Sequence, residues 1–427
     1  MKYFPPFTDY PKNSPYRDMI NDAAETLEQK LRHLNYQHLS VSDYYKRYYS
    51  YDLGKITFML QAYSIMMASA IQLSGKPISE ITLLDHGGGV GILSLLAKLI
   101  GVKTVIHQDI DPVVSADART VAGQLGIPVE HYICGETRDF VEFVNQNNLN
   151  LNIIASRNVI EHVYDLNEFF RETSRIKSDT LVLYINTTAN VRNPLVNSYT
   201  KRLQKIYEHE GFSDEWGSRK KDKKNAALEV RKKIIKEYAN TLTKSEIEKL
   251  AINTRGKRKD DIIKCVDEYL ADGTMARPPL HSTNTCDPNT GSWLEHLVPI
   301  NKYKELMEDS GFEYSYKNGF YNTNYPQPYL NLVTPVLNFK IKLLNNLGII
   351  LAPFITIIGV KRAFMSRSIQ KTHSLDRVKH PVLTGNTHGS SCGSETQARP
   401  FDSATVDQRS GRRSSRKRDF HLYHQPV

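Results

Sequence analysis

Between residues 81 and 186, short β-branched runs alternate with stretches of helical periodicity, and that alternation leaves few architectures open. Strands are predicted at 81–85, 104–110, 129–134, 151–155 and 180–186, with helices at 92–100 and 113–125. Strands joined by helices of this length require right-handed crossovers, and therefore an α/β fold built on a parallel sheet. The first 75 residues read as helical. Apolar residues recur at helical intervals over 23–34, and 56–73 is a longer run that is apolar on most sides.

The pattern changes after Thr188. Residues 195–280 lack β-branched alternation, and Leu228, Ile234, Ile235, Tyr238 and Leu242 recur at helical spacing. The predicted organisation is a helical cap (1–75), an α/β core (76–190), a basic helical insertion (191–290), the end of the core (291–330), an apolar segment (331–362) and a disordered basic tail (363–427). The end of the core holds a helix at 302–309 and a strand from 312. Within the apolar segment, 347–360 is too short to span a bilayer and carries Pro353; it either dips into a membrane surface or closes the core.

Charge is distributed unevenly. The net +10 of the 427 residues would suit an anionic partner such as nucleic acid or an acidic membrane surface. However, 219–259 holds fifteen Lys/Arg against five Asp/Glu, an excess of ten, and 363–427 holds eleven against five, an excess of six. The remainder is therefore at −6. An apolar content of 40% excludes wholesale disorder, and no uninterrupted apolar stretch reaches the about 18 residues of a spanning helix. Cys134, Cys265, Cys286 and Cys392 show neither a CxxC pair nor metal-ligand spacing, so no metal is expected. Together with a start that lacks a signal-like apolar core, this predicts a cytoplasmic protein, with peripheral contact to an anionic membrane through its basic and apolar segments.

The chemistry concentrates in Leu83-Leu84-Asp85-His86-Gly87-Gly88-Gly89-Val90-Gly91, between a predicted strand and a predicted helix. Glycines there permit a tight turn and let a ligand approach the backbone. The next strand ends in Gln108-Asp109-Ile110-Asp111, with Asp109 twenty positions after Gly89, where a carboxylate can accept ribose hydroxyls. A dinucleotide loop requires G-x-G-x-x-G; here the third glycine is replaced by Ile92, and Asp85 would repel a pyrophosphate. The combination favours S-adenosylmethionine over NAD.

With Cys134-Gly135-Glu136, and with Asn158-Val159-Ile160-Glu161-His162-Val163 after the fourth strand, the sequence resembles the class I S-adenosylmethionine-dependent methyltransferases. The second of these segments, and Trp293-Leu294-Glu295-His296-Leu297-Val298-Pro299, resemble the subgroup acting on small metabolites, quinones and sugars. The resemblance covers about 76–190 and 291–322. It implies a Rossmann-like sheet with Asp85, Gly87, Gly89 and Gly91 at the methionine end of the cofactor, Asp109 on the ribose, Ile110 against adenine, Glu136 near the adenine amino group and Asn158 near the sulfonium. Asn152 stands where the family usually has Asp.

A sulfonium methyl is already activated, so alignment and exclusion of water do most of the work, and a hydroxyl acceptor additionally needs a base. Candidates are His296, Glu295, His162 and Arg157, with packing as the competing role for His162. Tyr44, Tyr45, Tyr48, Tyr49 and Tyr51 fall at helical spacing and read as packing of the cap on the sheet, with a stacking wall for cofactor or sugar as the alternative. The expected activity is methyl transfer to a small-molecule or saccharide acceptor, lipid-linked acceptors included. The alternatives are an RNA methyltransferase using the basic insertion and a non-catalytic cofactor-binding protein. No RNA-binding signature is present, which makes nucleic acid the weaker partner.

Overall fold

Five parallel strands form where the alternation places them. The computed structural model describes residues 2–212 and 224–363, so the tail from 364 on and residues 219–223 of the basic run lie outside the described residues. Helices α1 (Arg17–His33), α2 (Asp43–Leu53) and α3 (Ile56–Ser74) precede the sheet. The chain then runs through β1 (Thr82–His86), α4 (Ile92–Leu99), β2 (Thr104–Asp109), α5 (Pro112–Gln124), β3 (His131–Cys134), α6 (Thr137–Gln146), β4 (Leu151–Arg157), α7 (Leu166–Ser174) and β5 (Thr180–Thr187). It continues with α8 (Pro194–His209), α9 (Ala227–Tyr238), α10 (Lys244–Asn253), α11 (Lys259–Asp272), α12 (Ile300–Asp309), β6 (Glu313–Asn318), α13 (Pro328–Leu343) and β7 (Ile355–Arg362).

The sheet order is β3-β2-β1-β4-β5-β7-β6, with β7 antiparallel to both its neighbours. This is a Rossmann-like α/β sheet in which the winding direction reverses between β1 and β4. Helices α1, α3 and α4 pack in the core on one face, and α6, α7 and α12 in the core on the other. Helix α3 is the one helix among the described residues long and apolar enough to cross a membrane. It lies instead against β4 and β5, with 78% of its apolar window buried in the fold.

The segment 331–362 holds two elements, helix α13 and strand β7. Residues 355–360 take the core-closing alternative: β7 pairs with β5 from Thr180↔Arg362 to Thr187↔Ile355 and is buried on both faces. A run of Ile, Thr and Val without polar alternation suits a strand flanked by neighbours and covered by layers.

Asn152, the departure from the family pattern, lies at the amino end of β4. The β1–β4 register shifts there, skipping Asn152, and its Oδ1 accepts the Thr82 N–H at 2.9 Å. Asn152 thus satisfies a donor that the shifted ladder leaves unpaired.

The insertion has its own core of Ile234, Ile235, Leu250, Ala251, Ile262 and Val266. Leu228 and Leu242 pack on it, whereas Tyr238 is exposed and donates its hydroxyl to Asp267 at 2.7 Å. The fully buried Arg231 pairs with Glu208 of α8 and donates Nε–H to the Ala251 carbonyl at 2.8 Å.

Candidate functional site

Ligands of open α/β sheets bind at the carboxyl ends of the strands, where the winding reverses. The loop 87–91 occupies that position after β1. A Cβ on Gly87 would lie 2.4 Å from Val159 Cγ2, so the crossover loops after β1 and β4 touch there, and only glycine fits. Gly89 has φ +51°, with nothing within 4 Å of the position a Cβ would take; this backbone is open to a ligand. Its N–H donates to Asp109 Oδ2 at 2.9 Å, and the Asp111 N–H donates to Asp109 Oδ1 at 3.0 Å. Each carboxylate oxygen has a second lone pair, so Asp109 keeps acceptor capacity for two hydroxyls. Ile110 beside it is 61% exposed, an apolar surface at the rim. Above the loop, α2 is tied down by the Tyr45 hydroxyl, which donates to the Val90 carbonyl at 3.0 Å. Tyr45 and Tyr49 are core residues, while Tyr44 lies close enough to Asp109 and Asp111 to feel their charge.

Asp85 is buried beneath the loop. Its Oδ2 accepts from Ser94 N–H at 2.9 Å and Ser94 Oγ–H at 2.7 Å, fastening β1 to the first turn of α4. Burial pushes its carboxyl up to about 7, with the Asp109 charge adding to the rise and the Ser94 hydrogen bonds opposing it. A raised folded-state value means that the neutral form stabilises the fold. That stability is fully present below pH ~4 and is lost as pH rises through about 7, a loss of roughly 4 kcal/mol at most. Replacing Asp85 by Asn should therefore flatten the fall in urea midpoint between pH 5 and 8. An unchanged slope in the variant would show that Asp85 does not hold the proton.

Asn158, directly after β4, has φ +58°, and its N–H donates to the Asn186 carbonyl of β5 at 2.8 Å. This is an uncommon backbone state that Asn tolerates better than most residues. Its side-chain amide makes no hydrogen bond within the described residues. Thr188 follows β5, and its Oγ1 lies 3.0 Å from Glu161 Oε1 and 3.1 Å from Glu295 Oε2. One hydroxyl hydrogen can serve only one of these carboxylates at a time. Glu295 also has φ +53°, and its carbonyl accepts from Gln204 Nε2 at 2.9 Å.

The three candidate bases near the site separate into two groups. Glu295 reaches Thr188 at the carboxyl end of β5, whereas His296 and His162 pack around Trp293. The His296 ring stacks on Trp293 at 4.1 Å, and burial pushes it down to about 4, leaving it neutral and weakly basic at pH 7. His162 Nδ1 lies 2.7 Å from the Trp293 carbonyl, which can only accept, so Nδ1 carries the hydrogen. Arg157, at the end of β4, faces the other way, over the rings of Phe58 and Tyr63. Glu136 is exposed at the start of α6, with Arg258 of the insertion 3.8 Å away.

Sequence reasoning passed over two groups. Glu161 is fully buried, and its Oε2 has no partner in the structure. It stands inside the Asn158–Val163 segment, and its burial in front of Thr188 has no local signature. Asp52 and Lys55 pair at 3.4 Å between α2 and α3, within the field of Arg157. Burial pushes Lys55 down to about 8 and Asp52 up. Only the tertiary fold brings them to Arg157. Among the described residues, no group of three or more His, Cys, Asp or Glu converges as a metal site.

No protein-family profile and no curated protein matches the sequence. Solved structures align in part. A SAM dependent methyltransferase from Aquifex aeolicus shares 22% identity over 25% of this chain and 56% of its own, at a TM-score of 0.22. One from Agrobacterium tumefaciens shares 16% identity over 32% and 46% of the two chains, at 0.25. An S-adenosylmethionine dependent methyltransferase from Mesorhizobium loti shares 14% over 69% and 100%, at 0.32. This chain spans about half the length of the first two.

Proposed function

We propose that the chain is an S-adenosylmethionine-dependent methyltransferase acting on a small-molecule or saccharide acceptor. The observation that carries the reading is Asp109, with acceptor capacity left beside the open backbone of Gly89, at the point where the sheet reverses direction. When bound, the cofactor supplies a methyl group already activated on a positive sulfur. The chain's part is to hold and align. Asp109 accepts the ribose hydroxyls, Ile110 offers an apolar platform to the adenine, and the buried Asp85 holds the glycine loop to the first turn of α4. The Asn158 amide stands free at the edge where β4 and β5 end.

For a hydroxyl acceptor, Glu295 takes the proton. Its carboxylate sits at the end of β5 with Thr188, whereas His296 is held neutral in a packed stack. Arg157 supplies positive charge on the cap side of the same edge, suited to polar or anionic groups of an acceptor, while Lys55 is taken up by Asp52. Three of the basic residues described in the insertion are engaged within the fold rather than offered to a phosphate backbone. Arg231 is buried, Arg255 donates to the carbonyls of Pro279, His281 and Ser282, and Lys232 is held by Glu229 and Glu248.

The test is transfer of labelled methyl from the cofactor into cell-extract fractions separated into soluble, lipid and nucleic-acid pools. Label in the soluble or lipid pool is expected; label confined to nucleic acid, or none, overturns the reading. Against the purified acceptor, Glu295→Gln should lower kcat by about a hundredfold or more while cofactor binding holds. An unchanged kcat would remove Glu295 as the base.

A further inference from the structure

Helix α13 is apolar on both sides: Leu330 and Ile341 are buried against the fold, and a second apolar stripe faces outward. Its inward face carries Thr334 and Asn338, and the Asn338 amide bridges both backbone groups of Tyr321, accepting from N–H at 2.7 Å and donating to C=O at 2.9 Å. Its outward face is apolar: Tyr329, Leu332, Val333, Val336, Phe339 and Leu343 recur every three or four residues and are all exposed, Leu332 to 77% and Leu343 to 71%. The stripe continues through Leu347, 68% exposed, and Ile350 in the following 3₁₀ turn. Isolated exposed apolar residues are ordinary, but a continuous stripe along a whole helix marks a surface that something covers.

Charge identifies the occupant. Residues 314–363 contain no Asp or Glu and five Lys/Arg. Lys340 and Lys342 are exposed beside the stripe, and Lys342 also donates to the Pro6 carbonyl at 2.6 Å. A second copy meeting this face would set lysine against lysine with no acid in 314–363 to pair them, and Asp9 of the adjoining N-terminal segment is already held by Lys317 at 3.2 Å. The residues beyond 363, with an excess of six positive charges, would be repelled by it as well. We infer that α13 and the turn after it lie in the interface of a bilayer containing anionic lipid. The apolar stripe sits at the acyl boundary and the lysines at the headgroups, as an interfacial amphipathic helix requires. The substrate edge would then stand near a membrane, within reach of an acceptor carried on lipid.

The experiment is flotation of the full chain with vesicles of phosphatidylcholine mixed with phosphatidylglycerol, and of phosphatidylcholine alone, at low salt. The wild type should float with the mixed vesicles and far less with the neutral ones. Replacing Phe339 and Leu343 together by Ser should reduce flotation at least about tenfold while cooperative thermal unfolding is retained. Phe339→Trp adds a readout independent of that variant's folding: its fluorescence should shift blue and be quenched by brominated lipid beyond the background of Trp216 and Trp293. Three results each overturn the inference. They are failure of the wild type to float; unchanged flotation of the double variant, which places binding in another basic segment; and a wild-type dimer that becomes monomeric in the double variant without any flotation.

Discussion

Asp109→Ala should abolish the rise in melting midpoint expected when S-adenosylhomocysteine binds the wild-type chain. At a hundred times its Kd, a ligand that binds only the folded state stabilises by about 2.7 kcal/mol, which for a folded unit of this size is a shift of roughly 3–4 °C. The Asp109 carboxylate is positioned by two backbone donors, Gly89 N–H and Asp111 N–H, and retains lone pairs for the ribose. Hydrogen bonds to a charged group contribute about 1.5–3 kcal/mol each, so losing two weakens binding by on the order of a hundredfold to ten-thousandfold. The shift then disappears at the same ligand concentration. The midpoint without ligand separates this from a folding defect, because it should fall only slightly in a loop that is half exposed. Asp109→Asn tests charge against shape: an amide presents one acceptor oxygen and a donor, and cannot serve Gly89, Asp111 and two hydroxyls together. A full shift in Asp109→Ala would mean that the ribose is held elsewhere and would remove the basis of the proposed activity. The membrane inference, which rests on α13, would be untouched.

The second large effect is structural. Arg231→Met should cost about 3–5 kcal/mol in urea unfolding, because it leaves the Glu208 carboxylate buried without its cation. Arg231 has no exposed surface, and its guanidinium is used on three sides, by both Glu208 oxygens and the Ala251 carbonyl. Glu208 also accepts the Thr285 hydroxyl at 2.7 Å, so one ion pair joins α8, the insertion and the chain returning towards the core. Replacing both partners, Arg231→Met with Glu208→Met, should recover much of the loss, since a buried ion pair and an apolar pair of similar volume are often equivalent. Recovery should be incomplete because Thr285 and Ala251 keep unsatisfied groups. A single variant within about 0.5 kcal/mol of wild type would show that water or another cation compensates Glu208.

Much of the edge proposed to take the cofactor was legible in the sequence, because its geometry rests on short-range patterns. Strand periods, the glycine turn with positive φ at Gly87, Gly89 and Gly91, and an acid at the end of the second strand all lie within thirty residues. Backbone sterics and the pleat act over that range, so the residues themselves specify the loop and the edge on which it sits. The acceptor side was legible only as a set of names. Glu295 and His296 are neighbours in sequence, yet one meets Thr188 and the other stacks on Trp293, and only the packing of the returning segment against Glu161 separates them. Likewise, 331–362 reads as uniformly apolar. Its division into a buried strand between β5 and β6 and a helix with an apolar stripe outward depends on which partners, more than a hundred residues away for Thr180–Thr187, claim one face and leave the other. Apolar character states that a face prefers to leave water; tertiary structure alone decides whether protein provides the cover.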